Sequence, residues 1–318
     1  MALALAVGLR AAAAGAQPAA PIGDRPTTLA PGTPPATPTA ADAHIAVKNP
    51  TLVWDPSWPK FRIAEYFATG AFAAVSFLAL AIPDDDGRWN ATNGFDNEVR
   101  SAIRLGNQGD RFAAGDASDL TLALGINHVM VDSVVVAWWG HGRGSVALQL
   151  TLMNFEAIAF NTGVTSLIKS ITARQRPYFR ECSTDAEFAQ LDECDGTDRY
   201  RSFISGHTST AFAVAGLTCM HHAHLPLYGG GAPDALACVL QLATASATGV
   251  LRIASDNHYA LDVLSGAAVG LASGLGLPWV LHYRGGARPA QSGEEQERPA
   301  VTLHVVPGPF SGALVGEF

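Results

Sequence analysis

Two histidines, three cations and one carboxylate fall in three short clusters, and each cluster has a chemical use. The first is Lys169 with Arg176 and Pro177. Seven residues is close to two helical turns, so both cations lie on one face, and Pro177 marks the exit from regular helix. Cations at a helix end also complement the dipole or mark a membrane boundary, so this pair alone specifies no site. The second is Ser205-Gly206-His207, directly before an apolar run that begins at Thr208. A Ser-Gly turn opening a helix presents backbone N–H groups and the positive end of the dipole, which together suit an anion. His207 then stands in the first turn, placed for proton transfer. The plainer reading is an N-cap by Ser205 beside a surface histidine. The third is Arg252, His258 and Asp262. Asp262 follows His258 at i+4, on the same helical face. A carboxylate there can accept a hydrogen bond from Nδ1–H and turn the Nε2 lone pair outward, making the ring a nucleophile. A purely structural His–Asp pair is the alternative.

Six apolar runs supply the elements that must position these clusters: 63–82, 120–139, 145–168, 208–227, 233–253 and 259–282. Twenty helical residues rising 1.5 Å each match a hydrocarbon core of roughly 30 Å. The first run stops at Pro83 and three aspartates, and the last carries Gly266, Gly270, Gly274 and Gly276, which suit close helix packing. Asn127, His128 and Asp132 in the second run, and Gln149, Asn154, Glu156 and Asn161 in the third, must face inward if the helices cross a bilayer. In an up-down arrangement the connections 83–119, 174–206 and 254–257 share one end, which is the end carrying all three clusters. The short links 140–144 and 228–232 lie at the other. The expected fold class is all-α, a transmembrane six-helix bundle with its active site at one end.

Composition agrees with that class. Only 15% of residues are charged and 48% are hydrophobic, against about 25% charged in an average soluble domain. The net charge of −8 argues against nucleic acid as a partner, because phosphate backbones need a basic surface. Three segments are expected. Residues 1–44 are an apolar start ending in Ala14-Gly15-Ala16, like a signal peptide but without a basic beginning and interrupted by Arg10, followed by a Pro/Ala/Thr linker. Residues 45–284 form the helical domain, and 285–318 a polar tail with a short alternating stretch at 302–306. Cys219 and Cys238 sit in apolar runs and read as small buried hydrophobes. Cys182 and Cys194 flank an acidic loop and can pair in an oxidising compartment. His221, His222 and His224 read as surface histidines or a charge patch at a helix C-terminus. Trp54, Trp58, Tyr66, Trp138 and Trp139 fall near span ends, as in an interfacial belt.

In order, the clusters spell K-x6-R-P, S-G-H and R-x5-H-x3-D. This resembles the signature of the type 2 phosphatidic acid phosphatase/vanadium haloperoxidase superfamily, over roughly residues 63–283. Ile204 stands where the family commonly has Pro, and Leu251 where it commonly has Ser. Neither supplies a charge or a proton, so changed loop rigidity or phosphate contacts are expected rather than lost chemistry. The resemblance implies a phosphatase with no metal and no cofactor. Lys169, Arg176, Ser205, Gly206 and Arg252 would hold the phosphoryl oxygens, His258 attack phosphorus, Asp262 orient it, and His207 protonate the leaving oxygen and later activate water. If the helices span a bilayer, a lipid phosphate of phosphatidic acid or isoprenoid pyrophosphate type can enter laterally, and the resemblance then implies an extracytoplasmic active site. A cleaved signal peptide followed by six spans would place that site inside, so either there is no signal or the bundle does not fully span. The alternatives are a soluble periplasmic acid phosphatase of the same superfamily acting on small phosphates, a vanadate-dependent haloperoxidase with His258 as the metal ligand, and a non-catalytic membrane scaffold.

Overall fold

The computed structural model describes residues 51–83, 87–184, 188–190 and 192–285, and the backbone of 302–307 and 312–317. The segment 1–44, with its signal-like start and linker, lies outside the described residues, as do the three aspartates at 84–86. The helices are α1 (Ile63–Leu78), α2 (Gly94–Ile103), α3 (Gln108–Val131), α4 (Gly144–Thr172), α5 (Asp192–Asp195), α6 (Gly206–His224), α7 (Ala232–Ala254) and α8 (Ala260–Leu271). π-Helical turns prolong α3 over Asp132–Gly140 and α8 over Ala272–Gly276 and Trp279–Tyr283. In the tail, β1 (Thr302–Pro307) pairs antiparallel with β2 (Gly312–Glu317).

The described residues thus hold eight α-helices rather than the expected six. The two additional ones carry no apolar run. α2 lies in the stretch expected to be a long loop, and Asn93 starts it by accepting the Asp96 N–H at 2.8 Å. α5 is one turn within the acidic loop. α3 also begins at Gln108 instead of 120, behind Asn107, whose side chain accepts the Gly109 N–H at 2.7 Å. Its first turns are polar because they serve polar partners: Arg111 reaches Glu181 at 3.0 Å and Asp119 reaches His207 at 2.8 Å.

α6 is the axis of the bundle, packed against α3, α4, α7 and α8, while α1 lies on α4. Ala211, Ala213 and Ala215 are buried along it. A Cβ on Gly266 of α8 would stand 2.6 Å from the Ser205 carbonyl oxygen, nearer than real Cβ atoms come. Glycine there lets α8 seat directly on the turn that opens α6.

Four helical segments are long and apolar enough to cross a membrane: Ile63–Ala81, Gln108–Gly140, Ala232–Ala254 and Ala260–Tyr283. They expose Phe67, Phe77, Trp139, Val239 and Leu264. α4 and α6 are the more polar interior, and Gln149, Asn154, Glu156 and Asn161 are buried as expected. Asp132 is buried too, but Asn127 is exposed and satisfies itself on its own helix, donating to the Ala123 carbonyl at 2.8 Å.

Three local expectations are corrected. Cys219 and Cys238 are disulfide-bonded, because α6 and α7 bring their Cα atoms to 4.4 Å; Cys182 and Cys194 are bonded as well. His221 and His222 are buried with fixed partners, His221 between Asn154 Oδ1 and the Tyr283 hydroxyl at 2.9 Å each. Trp54 and Trp58 do not face outward. The segment before α1 folds over a bundle end, and both rings join a core with Leu150, Met153, Leu227 and Tyr283. Tyr66, Trp138 and Trp139 do remain exposed.

Candidate active site

The turn before α6 is built from both sides. Ser205 N-caps the helix, its hydroxyl accepting from the Thr208 N–H at 3.4 Å and the Thr208 hydroxyl at 2.9 Å. Its own N–H donates to the Asp262 carbonyl at 3.0 Å. The Ser205 side chain is therefore occupied by the cap, and Gly206 and His207 present the first turn of the helix. A Cβ on Gly206 would lie 3.5 Å from Lys169 Cε, so α4 brings its lysine against that turn.

Lys169, Arg176 and Arg252 are each held by the surrounding loops and helices. Lys169 Nζ donates to the Arg201 carbonyl at 2.7 Å. Arg176 donates to the Asp198 carbonyl and carboxylate at 2.9 Å each and to Asn257 Oδ1 at 3.0 Å. Arg252 donates to the Ser118 hydroxyl at 3.2 Å and stands 3.6 Å from the Asp119 carboxylate. His207 Nε2 lies 2.8 Å from that same carboxylate. Sequence reasoning missed Ser118 and Asp119, which fall before the apolar run that predicted their helix, and Asp198, which falls in a loop.

His258 occupies the link between α7 and α8, its N–H donating to the Arg252 carbonyl at 3.2 Å. The ring is buried, and among the described residues Nδ1 has no hydrogen-bond partner. Here the geometry departs from expectation. Asp262 Oδ2 stands 3.7 Å from His258 Nδ1, an ion-pair distance and not a hydrogen bond. The carboxylate is taken up instead by the Ser202 hydroxyl at 2.5 Å, by the Tyr259 N–H at 2.9 Å and by Arg174. Arg174 also reaches Asp96 of α2 at 2.6 Å and lies between the rings of Trp89 and Tyr259. A buried chain Asp96–Arg174–Asp262 thus anchors the start of α8. Nothing in the sequence marked Arg174 as the partner of Asp262.

The electrostatics follow from crowding cations around buried rings. Burial pushes His258 well below the usual histidine value, helped by Arg176, Lys169, Arg252 and His207. Burial and then Arg252 lower His207 to about 4, against the pull of Asp119. Burial and then Arg176 lower Lys169 to about 7, with Asp198 opposing. Burial raises Asp198, but Arg176, Lys169, Arg201 and Arg252 outweigh it and hold the carboxyl below its ordinary value. A site of this kind suits an oxyanion, whose negative charge would relieve every one of the depressed cations. It does not suit a metal cation. Beside it, between α3, α4 and α6, a cavity of about 240 Å³ is lined by Leu122, Thr162, Thr165, Lys169, Gly206 and His207 among others.

Residues 151–286 match the family model described as the PAP2 superfamily. Over 80 residues the chain is 46% identical to the lipid A 1-phosphatase of Porphyromonas gingivalis, an alignment covering 25% of this chain and 16% of that protein. The likeness is therefore local, spanning about a sixth of the relative's length. No solved structure matches the chain.

Proposed function

With a PAP2 superfamily domain at residues 151–286 as the premise, we propose that the chain is a membrane phosphatase hydrolysing a lipid phosphomonoester or pyrophosphate through a phosphohistidine. The observation that carries the reading is a buried His258 with Arg176, Lys169 and Arg252 near enough to disfavour its charged form. His258 Nε2 attacks phosphorus while the bond to the leaving oxygen breaks, and His207 gives that oxygen its proton. Water then attacks the phosphohistidine, His207 takes the water's proton, and phosphate leaves with His258 restored. The three cations and the N–H groups opening α6 oppose the charge on the equatorial oxygens. Asp262 acts at 3.7 Å as a charge that favours the cationic ring, and no metal is needed in this scheme.

The lipid assignment draws on the four apolar segments and on the cavity between α3, α4 and α6, where half-buried Leu122, Thr162 and Thr210 line the same space as Lys169 and His207. The partial likeness to a lipid A phosphatase adds a phosphorylated glycolipid to the substrates worth testing. The Cys182–Cys194 bond lies on the loop between α4 and α6 that carries Asp198, which favours an oxidising, extracytoplasmic site. In this reading residues 45–284 are the catalytic domain, flanked by 1–44 and 285–318.

The test is phosphate release in detergent, with EDTA added at the time of assay, from short-chain phosphatidic acid, a prenyl pyrophosphate, a lipid A-type glycolipid and an aryl phosphate. Release by the wild type and its loss in His258→Ala is the expected result. Undiminished release by His258→Ala overturns the mechanism, and a wild type silent on all four overturns the phosphatase reading.

A further inference from the structure

A second constellation lies away from the candidate active site. Fifteen residues separate His207 from His222 on α6 and thirteen separate Asp119 from Asp132, so the two places are about 20 Å apart along the helices. Here His128 and Asp132 from α3 and its prolongation meet His222 from α6. One ring nitrogen of His128, one of His222 and an Asp132 carboxylate oxygen all lie within 4.8 Å of one another.

The outer nitrogen of each ring faces an acceptor. His222 Nδ1 is 2.5 Å from Asp234 Oδ1, and His128 Nδ1 is 3.2 Å from Gln241 Oε1. With a proton on each Nδ1, each Nε2 turns a lone pair inward. Both lone pairs point at the same acceptor: Asp132 Oδ2 is 3.2 Å from His222 Nε2 and 3.6 Å from His128 Nε2. Two lone pairs aimed at a carboxylate repel it unless a proton on His222 or a metal cation stands among them. The spacing suits one. Ligands bonded at 2.0–2.1 Å in a tetrahedron are about 3.3 Å apart.

The supporting groups are also those of a metal site. Asp234 is fixed by the N–H groups of Tyr228 at 3.1 Å and Gly230 at 2.6 Å, so it holds His222 in one tautomer as carboxylates do behind ligating histidines. The Tyr228 hydroxyl donates to Asp132 Oδ1 at 2.6 Å and sits 2.9 Å from His128 Nε2, beside the fourth position. His128 is 26% exposed, which leaves a way in for the ion, while Asp132 and His222 are each 1% exposed. We propose that His128, Asp132 and His222 bind one divalent transition metal, zinc in the first place. The ion clamps α3 to α6 and, through Asp234, to α7.

The experiment uses the untagged full chain in detergent, loaded with Zn²⁺, desalted and measured by elemental mass spectrometry. About one Zn²⁺ per chain is expected, with loss in His222→Gln and Asp132→Asn and retention in His224→Gln, whose ring lies outside the cluster. Because either core variant can fail to fold, the wild type is also titrated with Co²⁺, and the visible absorption of a tetrahedral site is expected. Zinc should raise the unfolding temperature of the wild type by several degrees, in proportion to occupancy. No bound Zn²⁺ and no Co²⁺ band in the wild type overturns the proposal and leaves a hydrogen-bonded, protonated His222. Metal retained by folded His222→Gln overturns it too, since the ion is then held elsewhere.

Discussion

At the scale of the residue, function rests on which charges the site keeps and at what pH. Lys169, lowered to about 7 by burial and by Arg176, is charged below that pH and neutral above it. On the proposed reading, a phosphate ester therefore loses one charged hydrogen bond as pH rises through 7 in the free enzyme. We expect kcat/KM to fall on the order of tenfold across that range, and Lys169→Gln to show a low, flat profile there. His258 sits well below its ordinary value, so the proposed nucleophile stays neutral into weak acid and should impose no limb near 6.5. Asp119 has a different role. Its carboxylate, 2.8 Å from His207, raises a ring that burial and Arg252 depress. Removing that charge lowers the His207 value further and depletes its protonated form. Asp119→Asn should lower kcat on the order of tenfold, less than the roughly 10²–10⁴ of the whole proton transfer. It should also move the alkaline limb of kcat to lower pH, a displacement that a merely structural loss would not cause.

At the scale of the element, α8 is positioned by two devices, the glycine face on α6 and the ion chain beneath its first turn. Gly266 admits the Ser205 carbonyl, and the Ser205 N–H returns a bond to Asp262. Hence the turn carrying His207 and the helix carrying Asp262 move as one. Arg174 neutralises Asp96 and Asp262 together, and all three side chains are almost fully buried. Arg174→Met leaves two carboxylates without their cation in a buried place. The expected cost is about 3–5 kcal/mol in chemical unfolding, the range for breaking one side of a buried ion pair. The run lengths of α4, α6, α7 and α8 were legible because apolar periodicity is a local property. α2 and the first turns of α3 were not, since their faces serve charged partners and carry no apolar signal.

At the scale of the whole molecule, the outer helices give the bundle an apolar surface around a more polar inner pair. Ile63–Ala81, Gln108–Gly140, Ala232–Ala254 and Ala260–Tyr283 carry that surface. The chain should stay in the pellet through alkaline carbonate washing and leave it only with detergent; release by carbonate alone would favour a soluble bundle. Residue types, their spacing and the apolar runs were enough to put forward Lys169, Arg176, His207, Arg252 and His258 as candidates, because chemical identity and helical phase are written along the chain. Only the tertiary structure could say that Asp262 is held by Arg174 and Ser202 and stands 3.7 Å from His258. The same holds for Asp119, which serves His207 from 88 positions away in the sequence, and for His128 and His222, which converge on one carboxylate. Those relations are distances between side chains on different helices. They are set by how glycine and alanine faces let the helices approach, and no local pattern encodes them.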